Sequence, residues 1–399
     1  MFFQQITKIL KLPFRFKPWK PDHLKIIFAD LSGINKQLVR SDEEHLKATI
    51  NWLCRAQDLR SELPDAGGIS AGWSFEDGWL PSYPETSGYI IETFIAAEQI
   101  LNRPELNIRA NKIIDWELSI QNPDGSFPGH FGEHGSKPVI FNTGQIVHGL
   151  ISGYQQLNRT ECLESAVQAG YWMLQQQDDD GCWRHSVHNN TPHTYNTRAA
   201  WALLRTAIAA NETKLKQAAI NNITWALSQQ TESGWFKTNA FTATANKTPF
   251  THTIAYAIRG IFESGLLLGN EEMIQAAIKA ATAQANQQRT DGWLAGTYTD
   301  NWQPASQYCC LTGLAQFCII WLRMSHLHNQ QELSQSASKG LKFIKSNHHI
   351  LNNNTPQDGG IAGSVPIWGR YSMFEYPNWA AKFFADALMT NMTLINIPE

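Results

Sequence analysis

Hydrophobic and polar positions along residues 42–391 alternate between two kinds of helical pattern. One kind carries Glu, Gln and Lys along one face and ends on the signature W-x-L-x-x-Q-x-x-x-G. Its clearest copies are Trp116, Leu118, Gln121 and Gly125; Trp172, Leu174, Gln177 and Gly181; and Trp225, Leu227, Gln230 and Gly234. A fourth copy keeps Gln288 and Gly292 with Ala283 in the Trp position. Weaker outer copies are Trp52 and Gln57 ahead of Gly67-Gly68, and Phe343 ahead of Gly359-Gly360. From glycine to glycine (68, 125, 181, 234, 292, 359) the steps are 57, 56, 53, 58 and 67 residues, room for two helices and two loops each. The other kind of helix starts 15 to 19 residues after each glycine and is rich in small residues: Gly88, Gly144, Ala199-Ala200, Ala255, Cys309-Cys310 and Ala380-Ala381. Small side chains let helices approach closely, as an inner layer requires.

The pattern predicts twelve helices, over roughly 42–58, 85–101, 105–121, 142–157, 161–177, 196–209, 212–230, 252–268, 271–288, 307–326, 332–347 and 378–391. Six two-helix units can close on themselves, because each apolar flank then meets the next and no face is left wet. An open stack would want polar capping repeats, which neither end supplies. The expected fold is therefore all-α: an (α/α)6 toroid of six helical hairpins over residues 41–399, small-residue helices inside, with an arm over residues 1–40. No strand-like alternation competes with this reading.

Composition refines the picture at the arm. The chain of 399 residues has net charge −3, which argues against a nucleic-acid partner, since such a partner needs a basic field. Residues 1–40 hold eight Lys/Arg against Asp22 and Asp30, a net +6, leaving −9 for the rest. Phe2, Phe3, Ile6, Ile9, Leu10, Leu12, Phe14, Phe16 and Trp19 interleave with those cations. Lys8 and Lys11 break the apolar stretch a signal peptide needs, and no run of eighteen apolar residues exists to span a membrane. Two readings of the arm stand: peripheral contact of residues 1–25 with an anionic membrane surface, or a segment strapped across the toroid, the second preferred. Six cysteines without framework spacing predict a reduced, cytoplasmic chain, membrane-peripheral if the arm docks; adjacent Cys309 and Cys310 read as helical.

The W-x-L-x-x-Q-x-x-x-G pattern resembles the QW repeat of terpenoid cyclases and protein prenyltransferase β subunits. The resemblance implies a clamp, with the Gln bonding backbone groups at a helix end beneath the stacked Trp, and so it implies fold more than activity. The acidic clusters of those families are missing: Asp178-Asp179-Asp180 lies in a repeat turn, and no D-x-D-D or D-D-x-x-D occurs. The stretch Ser306 to Leu314 resembles one segment of a prenyltransferase zinc site, with Ser306 at the His ligand position. A second resemblance is to six-hairpin carbohydrate enzymes, the polysaccharide lyases, unsaturated glucuronyl hydrolases and sugar epimerases. The segment Gly78 to Tyr89 is similar to one found in toroid proteins of bacterial surface-polysaccharide gene clusters.

Aligning the second helices places one polar residue at each start: Glu85, Asn142, Asn196, His252, Gln307 and Asn378. In a toroid these rim one funnel beneath six helix N-termini, which favour an anion. Asn is a good N-cap, so the three asparagines serve capping as readily as binding; Glu85, His252 and Gln307 are poorer caps and lean functional. The loops ahead add aromatics and titratable groups: Trp73, Glu76, Asp77, Trp79 and Tyr83; His130, Glu133 and His134; His185, His188, His193 and Tyr195; Tyr298, Asp300 and Trp302; Trp368, Arg370, Tyr371, Glu375 and Tyr376. Flat rings beside carboxylates and amides suit sugars, whereas charge is costly in a dry terpene pocket. His185, His188 and His193 lack metal-ligand spacing, and His130 and His134 lie in a Gly-rich loop, so no metal or cofactor is expected.

The expected function is an enzyme acting on a saccharide, a uronate-containing glycan in the making or remodelling of a bacterial surface polysaccharide. Glu85, His252, Tyr308, Tyr195, Asp77 and Glu375 are the catalytic candidates. Tyr83, Asn142, Asn196, Gln307, Asn378, Trp73, Trp302 and Trp368 are the substrate-binding ones. Lyase or epimerase chemistry would use an amide, a His and a Tyr, and hydrolysis two carboxyl groups across the pocket. The alternatives are an isoprenoid cyclase or transferase, and a non-catalytic binder of glycan or lipid-linked saccharide.

Overall fold

Residues 14–32, 39–130, 136–242, 247–328, 330–351, 353 and 355–395 are described by the structure, a computed structural model. Glu133, His134 and the first thirteen residues of the arm lie outside them. Twelve long helices follow in the expected order: Asp42–Asp58 and Pro84–Leu101, Glu105–Ile120 and Ile140–Leu157, Thr160–Gln175 and Thr197–Ala210, Thr213–Ser228 and Thr251–Leu268, Glu271–Ala285 and Leu311–His328, Gln331–Ser346 and Asn378–Ile395. The second helix of each pair packs on the second helices of its neighbours, and Asn378–Ile395 returns to Pro84–Leu101, so the inner layer is a closed ring. The fold is an α/α toroid. Close approach is visible at the small residues: a Cβ on Gly88 would stand 2.5 Å from the Ile146 Cα, and one on Gly144 2.5 Å from the Ala199 Cβ.

The repeat signature is a clamp between outer helices. Gln121 Nε2 donates to the Gly125 carbonyl (2.9 Å) and to the Ser165 carbonyl of the next outer helix (3.0 Å). Gln177 repeats this with Gly181 (3.0 Å) and Ala218 (2.9 Å), Gln230 with Gly234 and Ala276, Gln288 with Gly292 and Ser336, and Gln57 with Gly67 and Arg109. The turn glycines all have positive φ, from +82° at Gly359 to +101° at Gly67. The first structural equivalent is thus Gly67, one residue before the glycine from which the spacing was counted. At Gly181 a side chain would also meet the Asn221 carbonyl oxygen at 2.5 Å, so both conformation and space demand glycine there.

At the seam between last and first hairpins, His348 occupies the Gln position, five residues after Phe343. Its Nδ1 lies 2.8 Å from the Nδ1 of His45. Because His45 Nε2 already accepts from the Arg40 amide, His45 is the donor on Nδ1. Burial depresses both imidazoles, His45 to about 4 and His348 to about 3, so the pair is neutral. Lys345 with Asp42 (2.6 Å), Trp52 Nε1 to the Pro356 carbonyl (2.7 Å) and Arg55 to the Thr355 and Asp358 carbonyls complete the closure.

Two features depart from the sequence expectation. Short strands are present: Gly72–Ser74 pairs with Gly78–Trp79 and with Glu375–Pro377, and Cys309–Cys310 pairs with Ser364–Val365. Each is two or three residues long, too short to show an alternating pattern. Cys309 and Cys310 are therefore strand residues, and the fifth inner helix starts at Leu311, not at 307. All six cysteines are buried and unbridged.

The arm lies on the sheet side of the toroid. His23 stacks on Phe75 at 4.0 Å, Phe16 packs at a tilt against Phe374 at 4.8 Å, and Arg15 Nε meets Glu76 Oε2 at 2.5 Å. Lys17 donates to the Glu76 carbonyl, and the Ile367 amide donates to Asp30 (2.6 Å). Of the described residues, no helix is long and apolar enough to cross a membrane.

Candidate functional site

Pro84 starts the first inner helix, its fixed φ suited to a first turn, and places Glu85 one residue inside. A helix N-terminus favours a carboxylate, yet Glu85 is buried, and burial prevails: its carboxyl is pushed up to about 7. Two opposing influences keep it from rising further. Tyr83 donates to Glu85 Oε2 at 2.7 Å, and the Arg198 guanidinium supplies a nearby positive charge. Tyr83 is itself held by Asn142 Nδ2 at 3.2 Å.

Glu85 and Tyr83 line a cavity of about 390 Å³ at the N-terminal end of the inner ring, together with His130, His188 and His252. That volume is in the usual range for a small-molecule site. Eight Phe, Tyr and Trp side chains form most of its wall, among them Tyr89, Phe141, Tyr256, Tyr371 and Trp379. Gln316 Nε2 donates to His252 Nδ1 at 2.8 Å, which sets the ring proton on Nε2. Burial first, and Arg198 second, depress His252 to about 3, so it is a neutral imidazole. His188 Nδ1 lies 3.1 Å from the Tyr195 hydroxyl, and burial lowers it to about 3 as well.

The middle of the ring is filled, so this cavity is a well with a floor. Arg198, Lys382 and His148 are all buried there. Arg198 Nε donates to Gln145 Oε1 at 2.6 Å, and its guanidinium stands 5.2 Å from the Tyr256 ring centroid. Lys382 pairs with Asp386 and lies 4.9 Å from the Phe383 ring. Arg205, Arg259 and Arg323 line a separate cavity with Glu92 and Glu263, Arg205 pairing with Glu92 and Arg323 with Glu263, each at 2.6 Å.

A groove of about 650 Å³ adjoins the well and shares Phe241, Phe250 and Arg370 with it. Gln307, Tyr308 and Trp368 line this groove. Gln307 therefore departs from the expected six-membered rim, because the Cys309–Cys310 strand delays the helix behind it. The convergence of Glu85, His252 and Tyr308 is split between two adjoining spaces.

Other sequence candidates are elsewhere. Asp77 is exposed, and Glu375 sits beside Arg15, Glu76 and Asp77, its carboxyl raised by burial and lowered by Arg15. Both belong to the acidic patch under the arm, so they do not face each other across the well. Trp73 packs against His23 and Tyr376; Trp302 donates to the Ser233 carbonyl and meets Trp235 edge to face. Tyr195 is fully buried, stacked on His193, and supports His188 rather than lining the cavity. Asn378 Nδ2 bonds the Ser70 carbonyl and Thr86, and Asn142 and Asn196 are likewise buried behind the wall. Among the described residues no group of three His, Cys, Asp or Glu is arranged to hold a metal ion.

Tyr89 and Tyr256 were not singled out by sequence. Each follows a rim residue by four positions, Glu85 and His252, and so continues the same helix face downward. That spacing is the signal that finds them.

Two family models match the chain: the prenyltransferase α/α toroid domain over residues 1–143 and the squalene-hopene cyclase C-terminal domain over residues 81–262. No curated protein matches in sequence. Among solved structures the chain is similar to an unsaturated glucuronyl hydrolase specific for heparin, at TM-score 0.70 and 13% identity over 89% of this chain and 98% of that one. It is similar also to cellobiose 2-epimerase from Bacillus thermoamylovorans B4167 (TM-score 0.69, 12% identity, 87% and 97% covered). A sugar epimerase from a ruminal bacterium has TM-score 0.71 and 14% identity, with 90% and 99% covered. At these identities the likeness is one of fold.

Proposed function

We propose that this protein is a saccharide-transforming enzyme in which Glu85 moves a proton on a sugar bound at the blind end of the well. One observation carries the reading: the Glu85 carboxyl, buried among aromatic rings, hydrogen-bonded by Tyr83 and poised near 7, where a group can both accept and donate a proton at physiological pH. The eight rings offer apolar faces to sugar C–H surfaces, and the adjoining groove offers room for the remainder of a chain. The well thus takes the end residue of an oligosaccharide. Sugar hydrolases and epimerases that share the fold make the substrate class a natural one.

Among the described lining residues Glu85 is the single carboxyl, and no partner for it in ordinary glycoside hydrolysis stands among them. Proton abstraction from carbon, as in lyase or epimerase chemistry, fits better. Ionised Glu85 takes the C5 proton beside the uronate carboxylate, and His252 Nε2–H hydrogen-bonds the enolate oxygen that forms. The C4–O bond then breaks as C4=C5 forms and Glu85 passes its proton to the leaving oxygen, or the proton exchanges with solvent and returns to C5; exposed Arg370 at the mouth draws the anionic chain in. Six buried, unbridged thiols support a reducing, cytoplasmic setting. The test is incubation with uronate oligosaccharides in deuterated buffer. Either the ultraviolet absorbance of an unsaturated uronate or deuterium uptake at the sugar carbon is expected; neither appearing would sink the proposal.

The isoprenoid reading is favoured by the ring-lined wall and by the two family-model matches. Against it, Glu85, His130, His188 and His252 put polar groups into the same wall, which a carbocation pocket avoids. Turnover of an isoprenoid diphosphate with none of a uronate glycan would reverse the ranking.

A further inference from the structure

We infer that the outward face of the arm is a docking surface for an anionic lipid bilayer. Helix Pro21–Ser32 buries His23 and Ile26 against the toroid. On its other side Leu24, Phe28 and Leu31 are 50%, 64% and 67% exposed. Their spacing of four and three residues puts them on one stripe. Just ahead, Phe14 and Trp19 are 75% and 55% exposed and meet edge to face at 6.0 Å. Five of the thirteen large apolar side chains exposed among the described residues therefore fall within residues 14–32, and the other eight are spread from Leu59 to Trp368. Scattered exposure needs no cause, but a contiguous stripe marks an interaction surface.

Charge decides what covers it. Lys20 and Lys25 are exposed beside the stripe, Lys25 3.5 Å from the equally exposed Asp22, and residues 1–40 hold net +6 in a chain of net −3. The thirteen residues ahead add Lys8 and Lys11, six Phe, Ile and Leu, and no acid. A second copy would bring like charge against like. An anionic bilayer complements both the cations and the apolar stripe, and Trp19 suits its interface.

The docked orientation follows from Asp30, which holds the Ile367 amide at 2.6 Å. Trp368 and Arg370, immediately beyond, line the groove that leads to the well. Bilayer contact by the arm sets that groove at the lipid surface. The substrate class so presented is a saccharide carried on a lipid, its glycan end in the well; this last step rests on the saccharide reading, whereas the docking surface does not.

The test is co-sedimentation of the full chain with phosphatidylcholine vesicles, with and without phosphatidylglycerol, in the absence of any saccharide. Binding is expected on the anionic vesicles, falling with salt. Lys20→Ala and Lys25→Ala each weaken it about five-fold, and Leu24→Ser/Phe28→Ser/Leu31→Ser about ten-fold or more. These side chains are exposed, so thermal unfolding of the variants should match the parent. Absent binding, equal binding to neutral vesicles, or a triple variant that binds like the parent would overturn the inference. Self-association that the triple variant abolishes, without vesicle binding, would assign the face to a second copy instead. Proton exchange in the well with no vesicle binding would sink docking alone, and the converse would sink the chemistry alone.

Discussion

The Tyr83 hydroxyl donates to Glu85 Oε2 at 2.7 Å while accepting from Asn142 Nδ2 at 3.2 Å, so one phenol ties the first inner helix to the second at the well. This bond opposes the effect of burial on Glu85. Tyr83→Phe therefore lets the carboxyl rise above about 7. The ascending limb of kcat/KM against pH should move alkaline by about one unit. An unmoved limb would mean that Glu85 is not the group that titrates.

Glu85→Gln should lower turnover by about 10²–10⁴-fold, the usual worth of a general acid–base. It should also alter stability with a definite sign. Folded, the carboxyl keeps its proton up to about pH 7; unfolded, it loses it near 4.5. The stability this group contributes is present below pH 4.5 and is lost as pH rises through about 7. The variant has no such loss, so from pH 5 to pH 8 it should gain roughly 3 kcal/mol on the parent. Calorimetric melting at the two pH values measures it.

The seam titrates in the opposite sense. His45 and His348 are depressed to about 4 and 3, so their stability is present above the ordinary imidazole value of 6.5 and is lost as pH falls through those values. Protonating His45 puts a charge beside His348 and Lys345, and protonating His348 puts one beside His45. At pH 4.5 amide exchange should quicken first in Asp42–Asp58 and around residue 348 (acid-induced opening elsewhere first would refute this). His348→Gln, which restores the repeat's own residue, should flatten that response.

Gly181→Ala tests the clamp. Positive φ alone costs an L-residue about 1–2 kcal/mol, and the added Cβ would approach the Asn221 carbonyl oxygen at 2.5 Å. Denaturant unfolding should show a loss of about 2 kcal/mol or more, while Ala at the freely placed Gly78, whose φ is also positive, should cost only the backbone part.

Elements that repeat were legible because repetition averages out local noise. Six glycine turns fixed twelve helices to within a few residues, and the Gln clamp took the partners its chemistry requires. The fifth inner helix was misplaced because the partner of Cys309–Cys310, Ser364–Val365, lies more than fifty residues away, and no local pattern records that pairing. At the site, Glu85 and His252 were readable from register, since equivalent helix starts converge in a ring. Asp77, Glu375 and Trp73 were not, because the same loops serve both the well and the arm, and residue type does not say which. Arg198 escaped altogether: a cation inside an Ala-rich helix looks solvent-facing until the ring closes over it.

That closure has a consequence for how the molecule is made. The well takes Tyr83 and Glu85 from the first hairpin and Tyr371 and Trp379 from the last. A ribosome emitting the chain releases five hairpins that can stack before the sixth exists. Until the final helix slots between the first two, the acid that should work in a dry pocket stands in water with an ordinary affinity for its proton. Completion of the well therefore waits on completion of synthesis, and a chain cut short before residue 371 would keep most of its helices and lack the Tyr371 and Trp379 wall of the well.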